Sequence, residues 1–313
     1  MFYAVQSRIE SVPGSSLECA ISLPRQIIPG ACYLITRRCF QRSFLLRPDA
    51  KTNQIFEFCL AYASGRFGVE IHAYCAMSNH YHLVVTDVDG RLPEFMHWMN
   101  AYIAKMLNAR WGRTESFWAP GSYSAVRLGD EGLLIEKMLY VLMNPVVAGL
   151  VSRSDDWPGA RSLAGDIGRL RKSVRRPPAF FRRSGSVPPC AILELRLPRG
   201  IDQSMVARLV GEVERAEQDC LKRRHGQPVV GAREIVRQSP LESPQSTELP
   251  GGLRPNFAAN DRSLRHRMLR ERRDFVRAYR DALEAFRSGL RGVIFPAGTY
   301  LLRIYVGVLC APP

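Results

Sequence analysis

The chain has 313 residues, 46% of them hydrophobic, which is enough apolar material to bury one sizeable core and a smaller second one. It carries 44 Lys and Arg residues against 29 Asp and Glu, a formal charge of +15 at pH 7 that favours a polyanionic partner, either nucleic acid or an anionic membrane surface. No uncharged apolar run approaches the roughly 20 residues of a spanning helix, and the N-terminus lacks a signal-peptide pattern. We therefore expect a cytoplasmic protein.

The eight cysteines are scattered along the chain and form no Cys-x-x-Cys pair. This spacing argues against a disulfide framework and against a zinc site built from thiolates. We expect most of the cysteines to be small buried side chains.

Strand and helix signals alternate in the first third of the chain. Residues 31–37 are rich in strand formers, and apolar residues recur at helical spacing over residues 53–64. Residues 69–77 and 80–88 then predict two strands of a hairpin joined by a short Ser-Asn turn.

The next elements complete a recognisable order. A long amphipathic helix is predicted over residues 92–111 and a strand over residues 123–128. A third helix follows over residues 131–144, with Asp130 as its N-cap and Pro145 as the reason for its end. The order β-α-β-β-α-β-α predicts the α+β class, a ferredoxin-like domain with an antiparallel sheet and flanking helices.

Composition divides the chain further. We expect a loose leader over residues 1–22, the ferredoxin-like domain over residues 23–165, a basic linker over residues 166–200 and a mainly helical, basic C-terminal extension over residues 201–313. Within the extension, a Pro/Ser/Gly-rich linker is predicted near residues 239–255.

Local patterns refine the second half. Residues 168–183 carry seven basic side chains and no acidic one, and could form a tail or a clamp on folded DNA. Helices are predicted near residues 203–224 and 261–287, and one or two strands over residues 292–307.

Two histidines flank a tyrosine in the predicted hairpin. Because side chains alternate along a strand, His80 and His82 point to one side and Tyr81 to the other. Two converging imidazoles can hold a divalent cation and leave positions open for phosphate oxygens. Taken alone, the pair is weak evidence for a metal site, because exposed or core histidines explain it more readily.

The third helix supplies two further candidates. Tyr140 and Asn144 are four residues apart and share one helix face, so the amide oxygen of Asn144 could complete the coordination while Tyr140 points at the same cation. The alternative for Tyr140 is an ordinary tyrosine of an amphipathic helix.

These residues carry a family resemblance. Residues 77–85, Met-Ser-Asn-His-Tyr-His-Leu-Val-Val, resemble the His-hydrophobe-His motif of the HUH single-tyrosine transposases. Residues 140–151, Tyr-Val-Leu-Met-Asn-Pro-Val-Val-Ala-Gly-Leu-Val, are similar to the tyrosine helix of the REP-associated tyrosine transposases, a branch of that superfamily. The resemblance covers residues 23–162, and residues 295–300, Phe-Pro-Ala-Gly-Thr-Tyr, resemble the ends of some long members.

The resemblance implies a function and a site. It implies metal-dependent cleavage and rejoining of single-stranded hairpin DNA through a covalent 5′-phosphotyrosine, as in DNA transposition, by a bacterial protein associated with the nucleoid. Tyr140 would be the nucleophile, and His80, His82 and Asn144 would be the ligands of Mg²⁺ or Mn²⁺.

The sequence departs from the family pattern at two positions. Val147 stands where relatives often have a basic residue, and Ser78 where proline is common. A DNA contact and a turn are therefore expected to differ, while the proposed catalytic set is intact.

Basic side chains near the motifs are candidates for contacts to the DNA backbone, although each is also explained as a solvated surface charge. They are Arg37, Arg38, Arg42, Lys105, Arg110, Arg127 and Lys137.

Two other functions share some of these features. A replication-initiator or relaxase nuclease has the same histidine pair but often paired tyrosines, and Tyr140 has no second tyrosine one helical turn away. A non-catalytic nucleic-acid-binding module on a ferredoxin-like sheet would not require the two motifs together. The sequence leaves open whether the protein is a monomer or a homodimer.

Overall fold

The structure, a computed structural model, describes residues 24–178, 180–182, 184–244 and 255–312. The leader predicted over residues 1–22 and most of the linker predicted near residues 239–255 lie outside these ranges. Within the described ranges, no helix combines the length and the apolar character needed to cross a membrane.

Seven elements form the part of the chain that carries the two motifs. In chain order they are β1 (Ala31–Arg38), α1 (Ala50–Phe67), β2 (Val69–Ala76), β3 (His80–Asp87), α2 (Leu92–Trp111), β4 (Ser124–Leu128) and α3 (Glu131–Val147). The strands lie in the order β2-β3-β1-β4, and each pairs antiparallel with its neighbours. This arrangement confirms the predicted α+β class with a mainly antiparallel sheet and flanking helices.

Aspartate side chains cap the starts of two helices, and a glycine ends a third. The Asp49 carboxylate accepts hydrogen bonds from the backbone N–H groups of Lys51 and Thr52, and Asp130 accepts one from Leu133, so both satisfy orphan donors at a helix start. Gly112, with φ of 64°, ends α2 in the left-handed region that glycine adopts without strain.

The sheet separates two apolar layers. Alternate residues of β3, Tyr81, Leu83 and Val85, face α1 and α2 in the larger layer. Val84 faces the opposite way into a second layer that includes α3. His82 lies on this second side of the sheet, so the strand's alternation directs it towards α3.

The remaining elements follow the motif-bearing part. They are β5 (Arg171–Arg175), β6 (Cys190–Glu194), α4 (Gln203–Arg223), α5 (Ala232–Arg237), β7 (Phe257–Ala258), α6 (Arg262–Arg287), β8 (Ile294–Phe295), α7 (Leu301–Tyr305) and β9 (Leu309–Cys310). The helical character of this region agrees with the predicted fold class. A short helix, α7, separates β8 from β9, which the alternation over residues 292–307 did not predict.

The segment expected as a basic linker over residues 166–200 is instead a β-hairpin. Strands β5 and β6 pair antiparallel, and Val174, Ala191 and Leu193 are buried in the layer that contains α1. Arg171 and Arg175 lie on the exposed face of β5, whereas Lys172 is on the same face as buried Val174 and pairs with Glu57 of α1 at 2.7 Å. Their charge masked the strand signal in the sequence.

The C-terminal region is joined to the sheet at two places. Helix α4 packs against α3 and contributes Val206, Leu209 and Val213 to the second apolar layer. Strand β7 pairs in parallel with β4 and extends the sheet at that edge. Helix α6 begins four residues after β7, and its Glu271 pairs with Arg127 of β4.

Candidate active site

The two motif histidines occupy the start of β3. His82 is 4% exposed and lies beside His80, with ring centroids 4.8 Å apart and ring planes nearly perpendicular. Tyr81 points to the other face, where its hydroxyl donates to Oδ1 of Asn100 at 2.8 Å. The intervening tyrosine is therefore part of the core, and the imidazoles converge on one side.

Helix α3 brings its two candidates to these rings. The hydroxyl oxygen of Tyr140 is 3.4 Å from Nε2 of His82, and the two ring centroids are 5.1 Å apart. The side chain of Asn144, one turn further along the helix, hydrogen-bonds to His80. Tyr140 is 45% exposed, so its side chain lies beside the histidines and is open to solvent.

The end of α3 differs from the prediction. The helix was expected to end before Pro145, but it continues through that proline to Val147. A proline removes its own N–H and its ring crowds the carbonyl of residue i−4. The turn is kept here because the N–H of Ala148 donates to the carbonyl of Asn144 at 3.0 Å and Val146 is buried. Asn144 therefore lies within the helix, with its side chain directed to His80.

Two further residues orient the imidazoles. Nδ1 of His80 donates to Oδ1 of Asn79 at 2.6 Å, which leaves Nε2 of this ring as a lone-pair donor. Nδ1 of His82 is 2.9 Å from the hydroxyl oxygen of Thr36, which is its cross-strand partner on β1. Fixing one ring nitrogen determines the role of the other, as is common for metal-ligating histidines.

Both imidazoles are held in their neutral form at neutral pH. Burial, together with the charges of Arg38 and Arg42, lowers the pKa of His80 to about 4, and this outweighs the opposite effect of its hydrogen bond to Asn144. Burial also lowers the pKa of His82 well below its usual value, and the neighbouring His80 and Arg38 act in the same direction. Neutral rings keep the lone pairs that a cation needs.

These donors fit a divalent cation. Two neutral imidazoles and one amide oxygen are ligands that Mn²⁺ accepts, and open positions would remain for phosphate oxygens. The described part of the chain contains no cluster of three or more His, Cys, Asp or Glu side chains that could hold a metal. A centre at this place would therefore need the amide of Asn144 as its third protein ligand.

The predicted DNA-contacting residues do not form one group. Arg38 and Arg42 lie close enough for their charges to lower the pKa of His80. Arg42 has φ of 60° and follows Gln41 with φ of 50°, so the turn that carries it has a backbone conformation that side chains rarely adopt. Both arginines therefore lie near the histidine pair, and a role for them in binding phosphate stays a prediction.

The other candidates are engaged elsewhere. Three make ion pairs: Arg110 with Asp49 at 2.5 Å, Arg127 with Glu271 at 2.7 Å, and Lys137 with Glu136 at 2.6 Å. Arg37 donates to the carbonyl of Gly121 at 2.7 Å, and Lys105 lies over the ring of Tyr102. A role for these five in binding DNA remains a prediction.

Sequence reasoning missed Thr36 and Asn79. Asn79 directly precedes His80, so its position was a usable signal. Thr36 had no such signal, because it reaches His82 through strand pairing across 46 residues of sequence.

The chain was compared with known proteins. Residues 33–138 match the family model for IS200-like transposases. The match covers about a third of the chain; it includes His80 and His82 and ends two residues before Tyr140. It confirms the resemblance to transposases, while the role of Tyr140 depends on the site's geometry.

Two solved structures are similar over less than half of the chain. One is a REP-associated tyrosine transposase bound to a REP hairpin, with 21% identity, a TM-score of 0.39, and coverage of 47% of this chain and 84% of that one. The other is a protein of Deinococcus radiodurans R1 described as a transposase, with 14% identity, a TM-score of 0.28, and coverage of 42% and 95%. Comparison with functionally curated proteins gave no match.

Proposed function

We propose that this chain, whose residues 33–138 match the family model for IS200-like transposases, cleaves and rejoins single-stranded DNA through a covalent bond between Tyr140 and a 5′ phosphate. The observation that carries the proposal is the position of the Tyr140 hydroxyl, 3.4 Å from Nε2 of His82. The transfer requires an accessible hydroxyl as nucleophile and donors that can hold a metal ion next to it. Tyr140 offers the hydroxyl, and the two neutral imidazoles and the side-chain amide of Asn144 offer the donors.

The side chains of the site would have separate roles. A divalent cation held by His80, His82 and Asn144, Mg²⁺ or Mn²⁺, would polarise the phosphate and stabilise the charge that builds on its oxygens. Thr36 and Asn79 would hold the imidazoles in the required tautomers. These two contacts fix the donors before DNA arrives, so less reorganisation is needed during the reaction.

The transfer itself is reversible. The Tyr140 hydroxyl gives up its proton and its oxygen attacks phosphorus. A bond from phosphorus to the tyrosine oxygen forms, the bond from phosphorus to the 3′ oxygen breaks, and the released 3′ oxygen takes up a proton to become a hydroxyl. A 3′ hydroxyl attacking the phosphotyrosine reverses every bond change. Because the bond energy is retained in the covalent intermediate, rejoining needs no ATP.

The substrate is proposed to be a DNA hairpin. This follows from the similarity of residues 140–151 to the tyrosine helix of the REP-associated transposases. Only one tyrosine occurs on α3, so a mechanism with paired tyrosines on this helix, as in relaxases, has no second nucleophile here.

The direct experiment is a covalent capture assay. Purified protein is incubated with a labelled single-stranded hairpin and Mn²⁺ or Mg²⁺, and products are separated under denaturing conditions. We expect a labelled adduct with the wild-type protein and none with Tyr140→Phe.

The matched control is Tyr305→Phe, since Tyr305 is also exposed, at 71%, but lies on α7. This variant should form the adduct as the wild type does. Adduct formation by Tyr140→Phe would show that another residue is the nucleophile and would overturn the proposal.

A further inference from the structure

One face of α6 carries a row of exposed side chains that are mostly arginine. Its members follow one another at spacings of three or four residues, so they lie on one side of the helix. They are Arg262, His266, Arg270, Arg273, Arg277 and Arg280, followed by Glu284 and Arg287. All are exposed, and we call this set the α6 strip.

The opposite face of α6 is already covered. Met268, Phe275 and Ala282 repeat every seven residues and are 2%, 4% and 8% exposed. Glu271 pairs with Arg127 of β4, and Arg272 donates to the carbonyl of Pro24. The helix is therefore fixed on the sheet edge with the α6 strip directed outwards.

The charge of the strip is not balanced by the chain itself. Across the described residues, no ion pair within 4 Å involves an arginine of the α6 strip. Like charges three or four residues apart destabilise a helix by a few tenths of a kcal/mol per pair. A polyanion lying along the strip would remove this repulsion.

Helix α4 provides a comparison for the charges on α6. It is also long and amphipathic, but two of its four cations lie within 4 Å of an acid: Arg215 beside Glu212 and Lys222 beside Asp219. In α6, nine arginines accompany four acidic residues, and the first six members of the strip include no acid. The excess of positive charge without acidic partners in the α6 strip is therefore not shared by α4.

The strip begins next to the candidate active site. Asn260, two residues before α6, donates its backbone N–H to Asp130 at 2.7 Å, and its side-chain amide is 3.5 Å from Glu136. Glu136 precedes Tyr140 by about one turn of α3. A molecule bound along the strip would therefore have one end near the proposed nucleophile.

We propose that the α6 strip binds the sugar-phosphate backbone of double-stranded DNA, namely the paired stem whose unpaired end is processed at Tyr140. This inference rests on the proposed function for the identity of the stem. From Arg262 to Arg287 the helix extends about 38 Å at 1.5 Å per residue, which corresponds to roughly 11 base pairs at 3.4 Å each. A straight, rigid row of guanidinium groups suits a stiff duplex.

Two other partners fit the strip less well. Single-stranded nucleic acid is usually held by aromatic side chains on which bases stack, and the α6 strip contains no Phe, Tyr or Trp. A membrane-bound basic helix inserts its apolar face into the lipid, whereas the apolar face of α6 is buried in the protein.

The test compares two triple variants in the Tyr140→Phe background, where no covalent adduct is expected to complicate binding. One is Arg270→Gln/Arg273→Gln/Arg277→Gln in the strip. The other is Arg208→Gln/Arg215→Gln/Arg223→Gln, which removes the same charge from exposed positions of α4. Glutamine is a good helix former, so both helices should persist, which circular dichroism would check.

Affinity for a blunt 12-base-pair duplex is measured across a range of salt concentrations. We expect the strip variant to bind at least about tenfold more weakly at low salt, with a slope of log affinity against log salt that is lower by about 2 to 3, because roughly 0.9 is lost per phosphate contact. The α4 variant should bind like its parent.

If both triple variants bind the duplex equally weakly, the proposal is overturned, because the loss of net charge alone would explain the lower affinity. Loss of binding only to a single-stranded oligonucleotide, or only to anionic vesicles, would overturn it in favour of those partners. The same triples with Tyr140 intact are then tested for adduct formation on a short single strand. If the strip variant binds the duplex like its parent, the adduct assay still tests the proposed function by itself. If no adduct forms, the duplex assay still tests whether the α6 strip binds double-stranded DNA.

Discussion

The hydroxyl oxygen of Tyr140 lies 3.4 Å from Nε2 of His82, and this contact joins helix α3 to the strand that carries the histidine pair. It links positions 58 residues apart in sequence. Behind it, the Thr36 hydroxyl contacts the other nitrogen of the same ring. The orientation of His82 towards Tyr140 therefore depends on a residue of the neighbouring strand.

Replacing Thr36 tests this dependence. Thr36→Val keeps the shape of the side chain but removes the hydroxyl at Nδ1 of His82, and we expect adduct formation to slow by about 10- to 100-fold, the usual effect of losing an outer partner of a metal-binding histidine. Thr36→Ser restores a hydroxyl and should recover most of the rate. A single-turnover time course at saturating Mn²⁺ measures the rate of adduct formation for both variants. An unchanged rate in Thr36→Val would show that the Thr36 hydroxyl has no role in the reaction.

Substitutions at Asn144 test whether its side chain is the third metal ligand. Asn144→Ala removes the amide oxygen and should raise the Mn²⁺ concentration for half-maximal adduct formation by about tenfold or more, while Asn144→Asp retains an oxygen donor and should need less metal than the alanine variant. Asn108→Ala, on α2 across the sheet, serves as the control. A metal requirement unchanged by Asn144→Ala would limit Asn144 to a hydrogen bond with His80.

Chelation tests the need for a cation. Excess EDTA should abolish adduct formation, and Mn²⁺ or Mg²⁺ should restore it, because neutral imidazoles alone do not offset charge on a phosphate. The thermal midpoint should change little, since Thr36 and Asn79 already hold the rings in place. Adduct formation that persists after chelation and dialysis would contradict the proposed role of a metal.

Asp49 provides a pH-dependent contribution to stability away from the site. Partial burial raises the pKa of its carboxyl, but hydrogen bonds from Arg110, Thr52 and Arg47 outweigh this and lower it to about 2. Because the folded pKa lies below the unfolded one, the contribution is present above about pH 4 and is lost as the pH falls towards 2. Its size at neutral pH is about 2 kcal/mol.

The measurement is urea unfolding of the wild type and of Asp49→Asn at pH 7 and pH 3. Asparagine still caps a helix, so the difference between the two proteins reports mainly the lost charge. We expect the variant to be less stable by about 2 kcal/mol at pH 7 and by about half of that at pH 3. A difference of the same size at both pH values would show that the charge of Asp49 is not its source.

Local signals were sufficient for much of the fold. Asp130 was a predicted N-cap and does cap α3, because the capping bond joins residues three positions apart. The alternation along β3 correctly separated His82 from Tyr81, because it depends only on strand geometry.

What the sequence did not predict depends on tertiary contacts. Thr36 reaches His82 only through the register of β1 and β3. Pro145 stays helical because its turn is packed and Ala148 bonds to Asn144. The β5-β6 hairpin was hidden because its exposed face is basic, and only burial of Val174 and Leu193 against α1 reveals why it is ordered.

The most direct measurement of the central proposal is the identity of the residue that carries DNA. Trypsin cleavage after Lys137 and Arg153 releases residues 138–153, in which Tyr140 is the only tyrosine. After reaction with hairpin DNA and nuclease trimming, mass spectrometry should find a nucleotide joined through its 5′ phosphate to Tyr140 in this peptide. A nucleotide on any other residue, or linked through a 3′ phosphate, would contradict the mechanism proposed for this site.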